Sequence, residues 1–213
     1  MELHTLNDPA SVLEKVALLL IEGNTEEASA ILRARYPFVP WERPERTKRV
    51  EKGTVSVQKT VDVPESRKYT QKESLEVFFE DGYVDRYSGN RLVSPAALYA
   101  ITHALPDEFP WGGARKNTHQ GLWDLFPTID HVEPISHGGA DVRENWVTTS
   151  MTMNMRKGNE SMYDLGWSIH AAGDSCEWDG LVSWYVSYSQ DNPDVVSVLN
   201  NKGWHKATIA LYS

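Results

Sequence analysis

Apolar residues near the start of the chain recur at helical spacing. Val12, Leu13, Val16, Leu19 and Leu20 make one stripe behind Asp8-Pro9, a good helix start, and Gly23 follows as a stop. A second helix is expected from Thr25 to Arg35, packing Ala28, Ile31 and Leu32 against the first, so residues 1–36 read as a helical hairpin. Pro37, Pro40 and Pro44 open a connector that runs to residue 72, in which Val55, Val57 and Val61 alternate with polar residues as a candidate strand. "QKESLEVFFEDGY" reads as a helix, and so does "SPAALYAITHAL", with Ser94 as its cap and Pro95 in its first position. The stretch from Pro106 to Pro127, rich in Pro, Gly and Trp, reads as an irregular insertion.

"PTIDHVEPIS" then alternates apolar and polar residues like a short strand, and "HGGAD" gives a turn with two glycines. "TTSMTMNMRKGN" starts with hydroxyl caps and closes at Lys157-Gly158 as a helix does. Farther on, Leu181, Trp184, Tyr185 and Tyr188 recur at helical spacing behind Asp179, and Pro193 tilts "PDVVSVLNNKGWHKATIALY" to helix. The expected class is α+β, a helix-rich protein carrying a small strand, loop and helix unit. Along the chain it divides into a hairpin (1–36), a basic connector (37–72), the region of that unit (73–170) and a mainly helical, acidic C-terminal region (171–213).

The unit concentrates chemistry. Asp130, His131, Asn145, Asn154 and Lys157 lie within about thirty residues, and their groups suit hydrolysis of a phosphodiester. That reaction needs a base for the attacking water, and a hard cation can neutralise charge on the phosphate and the leaving oxygen. His131 is the natural base, because a neutral imidazole accepts protons near physiological pH. Asp130 and Asn154 offer oxygen ligands of the kind Mg²⁺ takes. Neighbours on a regular strand point to opposite faces, so Asp130 and His131 can serve one substrate only where the strand twists or ends. On the helix, Asn154 and Lys157 are three apart and share a face.

In order and spacing these residues resemble the HNH nuclease motif, also called the ββα-metal or His-Me finger. The separations are fourteen residues from His131 to Asn145 and nine more to Asn154. The likeness covers about a seventh of the chain closely and residues 73–170 loosely. It implies His131 as the base, Asp130 and Asn154 as ligands of one divalent metal (Mg²⁺, with Mn²⁺ as the substitute), and Asn145 as the residue tying the glycine loop to the strand. Lys157 would be the helix cation near the scissile phosphate, with Arg156 beside it as a further substrate contact. Many members brace this fold with zinc on Cys-x-x-Cys knuckles. Here "DGYVDRYSGNRLV" has Asp85 and Ser88 where those cysteines would stand, and Cys176 is the single cysteine, so no zinc bound by cysteines is expected. An Asp85–Ser88 hydrogen bond and packing of Tyr83, Tyr87 and Leu92 are expected to hold that turn instead.

Other polar residues have plainer readings. His137 reads as a solvated loop residue, His103 and His119 as structural, and Asp141 and Glu144 as shapers of the loop. Glu133, on the same strand face as His131, either orients the imidazole or is simply exposed. Met151, Met153 and Met155 read as helix packing.

Apolar residues make up 40% of the 213, with eight Trp and nine Tyr, as befits a globular protein. No long apolar run and no basic, then apolar, leader appears, so the expectation is cytoplasmic, without a membrane partner. The net charge of −9 sits awkwardly with a DNA substrate, since cations normally supply most affinity for phosphate. The charge is segregated, however. Residues 37–72 hold nine Lys and Arg against five Asp and Glu, whereas residues 160–213 hold two against seven. Arg43, Arg46, Lys48 and Arg49, near Trp41, either track a nucleic-acid backbone or form a solvated linker. The acidic C-terminal region is a candidate surface for another protein. A DNA endonuclease is the leading expectation. A nickase, an RNA nuclease of the same fold and a non-catalytic nucleic-acid-binding module are the alternatives, and a homodimer is one route to double-strand cuts.

Overall fold

The computed structural model describes residues 8–50, 69–112, 114–198 and 201–212. Helices α1 (Pro9–Ile21) and α2 (Thr25–Arg35) form the N-terminal hairpin, with Asp8 capping the first through Ala10 N. The α1 stripe is buried as the spacing predicts: Leu13 and Val16 are inaccessible to solvent. The candidate strand at Val55, Val57 and Val61 lies outside the described residues.

Helix α3 (Gln71–Glu80) starts with a capping box. Thr70 accepts from Glu73 N, and the Glu73 carboxylate accepts from Thr70 N and its hydroxyl, which hold that carboxyl below its usual range. Helix α4 (Pro95–Ala104) begins at the Ser94 cap with Pro95 in its first position, and eight of its ten residues are buried. The span from Pro106 to Pro127 is more ordered than its composition predicts. It holds a 3-10 turn at Arg115–Asn117 and helix α5 (Gln120–Leu125), capped by His119 through Gly121 N. Six residues are too few to display a helical period, although Leu122 and Leu125 do turn into the core.

Strands β1 (Pro127–His131) and β2 (Trp146–Ser150) pair antiparallel from Pro127↔Ser150 to His131↔Trp146, and helix α6 (Met151–Lys157) follows directly. Thr148 and Thr149 belong to β2, so only Ser150 caps the helix, through Met153 N. The protein is therefore α+β and helix-rich, with a two-stranded antiparallel sheet running strand, loop, strand, helix.

The outer edge of β2 has no third strand within the described residues; two buried carboxylates cover it instead. Asp81 accepts from Thr148 N at 2.7 Å, and Asp85 accepts from Ser150 N and the Thr149 hydroxyl, both at 3.0 Å. Asp85 also accepts from Tyr87 N and Ser88 N, and Tyr83, Tyr87 and Leu92 are buried around it. The turn at Asp85 and Ser88 is thus closed by carboxylate-to-backbone hydrogen bonds, each strong because one partner is charged.

Helices α7 (Met162–Leu165), α8 (Val182–Asp191) and α9 (Asn201–Tyr212) complete the fold. Asp179 accepts from Ser183 N in the first turn of α8, though Leu181, at φ 64°, is the residue that enters the helix. One contiguous apolar core runs from Ala10 on α1 through α3, α4 and β1 to Ala207 on α9. Residues of the first, third and fourth stretches marked along the sequence form that core, and Tyr69 of the second packs against it. Among the described residues no helix is long and apolar enough to cross a membrane.

Candidate active site

Strand β1 ends at His131, and this end lies against α6. Asp130, His131 and Asn154 line one cavity of about 320 Å³, although strand neighbours ordinarily face apart. The strand's termination at His131 makes that convergence feasible, as its sequence suggested.

Asp130 is fixed through one oxygen. Its Oδ2 accepts from the Tyr87 hydroxyl at 2.7 Å and lies 2.8 Å from Lys157 Nζ. Burial, and then the Asp130 charge, push the Tyr87 phenol far above its usual pKa, so it remains a donor. Oδ1 accepts no hydrogen bond from a described residue, which leaves it the oxygen available to a cation.

Lys157 is not placed as the resemblance implies. It is 1% exposed, donates to His131 O at 2.7 Å and pairs with Asp130, so its ammonium braces the strand end instead of facing the cavity. A buried ammonium needs this combination of counter-charge and acceptor, which explains why it turns inward.

The loop between β1 and β2 is closed by Asn145, as the motif implies. Its Nδ2 donates to Glu133 O and Ala140 O, and its Oδ1 accepts from Glu133 N, all at 2.9 Å. Gly139 passes so close that an added Cβ would lie 2.0 Å from Glu133 O, which requires glycine there. Glu133 is exposed and makes no side-chain bond to His131. Asp141 takes that place: its Oδ1 lies 2.8 Å from His131 Nε2, 2.9 Å from Trp146 Nε1 and 3.2 Å from the Tyr69 hydroxyl. The His131 bond is the main cause of an Asp141 carboxyl held below its usual range.

The described first part of the connector, residues 37–50, is docked on the rest of the chain. Thr47 N donates to Arg156 O, Val50 N donates to Asp164 O, and Arg49 pairs with Glu160 at 2.5 Å. This lays residues 43–50 across the end of α6 and puts Arg43 and Arg46 into the cavity wall, with Lys48 and Arg156 exposed outside it. The basic run therefore splits. Arg43 and Arg46 join Asp130, His131 and Asn154, while Arg49 is committed to an exposed ion pair.

His103, His119 and His137 are occupied elsewhere or lie off the cavity. His119 is buried between its cap and the Tyr36 and Pro37 carbonyls, and burial lowers its pKa. His103 pairs with Asp194, and His137 ends a 3-10 turn away from the cavity wall.

Residue types and spacing place Asp141 in the loop and Tyr87 in the turn without giving either a part in the site, and they do not single out Tyr69. The available signals were weak: an acid just past a Gly-Gly turn and two tyrosines among nine.

No group of three or more His, Cys, Asp or Glu side chains arranged for a metal occurs among the described residues. The donor set here is a carboxylate and a carboxamide, which fits a hard cation that retains waters and shares its shell with phosphate. No protein-family profile, curated protein or solved structure matches the chain.

Proposed function

We propose that the protein is a metal-dependent endonuclease that hydrolyses DNA phosphodiester bonds, with His131 as general base and one divalent cation, Mg²⁺ or Mn²⁺, held by Asp130 and Asn154. The observation that supports this reading is the meeting of a histidine, a carboxylate, a carboxamide and two arginines in one cavity wall.

A bound cation would supply positive charge to the phosphate and the departing oxygen. The chain's own residues do the rest. Tyr87 and Lys157 hold one Asp130 oxygen so that the other is presented in a fixed direction. Arg43 and Arg46 supply fixed positive charge for the phosphate backbone beside the base. These cations act locally, which allows a chain of net charge −9 to hold a polyanion at one place.

The test is cleavage of supercoiled plasmid, linear duplex and single-stranded RNA by the purified protein. DNA cleavage with Mg²⁺ or Mn²⁺, abolished by a chelator, is the expected result. Cleavage that persists in chelator would remove the metal from the mechanism, cleavage of RNA alone would reassign the substrate, and DNA binding without cleavage would leave a non-catalytic module.

A further inference from the structure

The His131 ring has two nitrogens, and the structure treats them differently. Nε2 faces Asp141 Oδ1 at 2.8 Å and the Tyr69 hydroxyl oxygen at 3.2 Å, while Nδ1 meets no hydrogen-bonding group among the described residues. The side chain is only 6% exposed, so the ring has little freedom to turn over.

Three groups converge on the one Asp141 oxygen: His131 Nε2, Trp146 Nε1 and the Tyr69 hydroxyl. An indole N–H can only donate, so Oδ1 acts as an acceptor. The Tyr69 hydroxyl gives its single proton to the same Oδ1, so toward Nε2 its oxygen acts as an acceptor, and a neutral imidazole facing these acceptors carries its proton on that side.

The loop is built to deliver this carboxylate. Asn145 holds the carbonyl of Ala140, the residue before Asp141, and ties it to Glu133, two residues beyond His131. Lys157 fixes the His131 backbone carbonyl from the other side. Asn145 therefore does more than close a turn: it sets the distance between an acid and the imidazole.

We propose that Asp141 is a positioning residue that holds the proton of neutral His131 on Nε2, so that Nδ1 is the nitrogen that takes the proton from the attacking water. The inference rests on His131 being the base. As the water oxygen bonds to phosphorus, its proton passes to Nδ1. The bond from phosphorus to the leaving oxygen breaks with its electron pair on that oxygen, which takes a proton from solvent. The imidazolium formed meanwhile keeps its Nε2–H on the Asp141 carboxylate, which stabilises the positive charge.

The tautomer can be read directly by long-range ¹H–¹⁵N correlation on the full ¹⁵N-labelled chain, at a pH where the ring is neutral, with the His131 signals assigned by their loss in His131→Ala. Wild type should show the Nε2-protonated form. Asp141→Ala should give a mixture of tautomers and a kcat on plasmid lower by about 10- to 100-fold, with KM little changed. Asp141→Asn, whose amide oxygen still accepts from Nε2–H, should keep the tautomer and recover part of kcat. An Nδ1-protonated wild type, or an Asp141→Ala variant with wild-type tautomer and kcat, would overturn the proposal. A wild-type protein that cleaves nothing would remove the base assignment, and the tautomer spectra would still decide whether Asp141 orients the ring.

Discussion

Alanine in place of His131 is expected to lower the rate of DNA cleavage by about 10²–10⁴-fold, the usual contribution of a positioned general base. Its neighbours give no substitute. Glu133 points to solvent, Asp141 is held by Trp146 and Tyr69, and Lys157 is buried in its pair with Asp130. The substitution should spare the fold. Asp141 keeps two donors when the imidazole leaves, and the backbone carbonyl that Lys157 uses is unchanged. Single-turnover cleavage of plasmid, with thermal melting of the same sample, checks both halves. A variant that melts like wild type and cuts at the wild-type rate would show that the base lies elsewhere.

Lys157→Met should produce the largest loss of stability. Lys157 is 1% exposed, and its ammonium joins Asp130 at 2.8 Å to the His131 carbonyl at 2.7 Å, with the Tyr87 ring 5.6 Å away. Removing one partner of a buried pair leaves the other charge uncompensated, at a cost of about 3–5 kcal/mol. For a chain of this size each kcal/mol moves the melting temperature by about 2–4 °C, so a fall of roughly 6–20 °C is expected. The double substitution Lys157→Met with Asp130→Asn should recover part of that loss, because no unpaired charge remains and Tyr87 can still donate to the amide oxygen. A single variant with wild-type melting, or a double variant no more stable than the single, would contradict the brace.

The sequence conveys local features well. Helix starts such as Asp8-Pro9 and Ser94-Pro95 are visible because capping chemistry acts over three or four residues, and both are realised. Strand β1 is legible from its alternation and α6 from its Ser150 cap, and Asn145 follows from its spacing to His131, whereas β2 is not, because Thr148 and Thr149 read equally well as helix caps. What escapes is whatever depends on direction in space. Lys157 carries the same charge whether it turns outward to a phosphate or inward to Asp130, and only packing around α6 decides. Asp141 reads as a loop acid until the loop's closure on Asn145 brings it to His131, and Glu133, with the better strand register, is left outside. Likewise the basic run gives no sign that its backbone is pinned at Thr47 and Val50, which separates two arginines at the cavity from one paired with Glu160.

Anomalous diffraction from crystals soaked in Mn²⁺ probes the site most directly. The expected result is a single strong peak in the cavity between Asp130 and Asn154, within the usual oxygen-ligand distance of both, and lost in Asp130→Ala crystals. Manganese bound elsewhere, or a peak unchanged by Asp130→Ala, would contradict the assignment of this cavity as the catalytic centre.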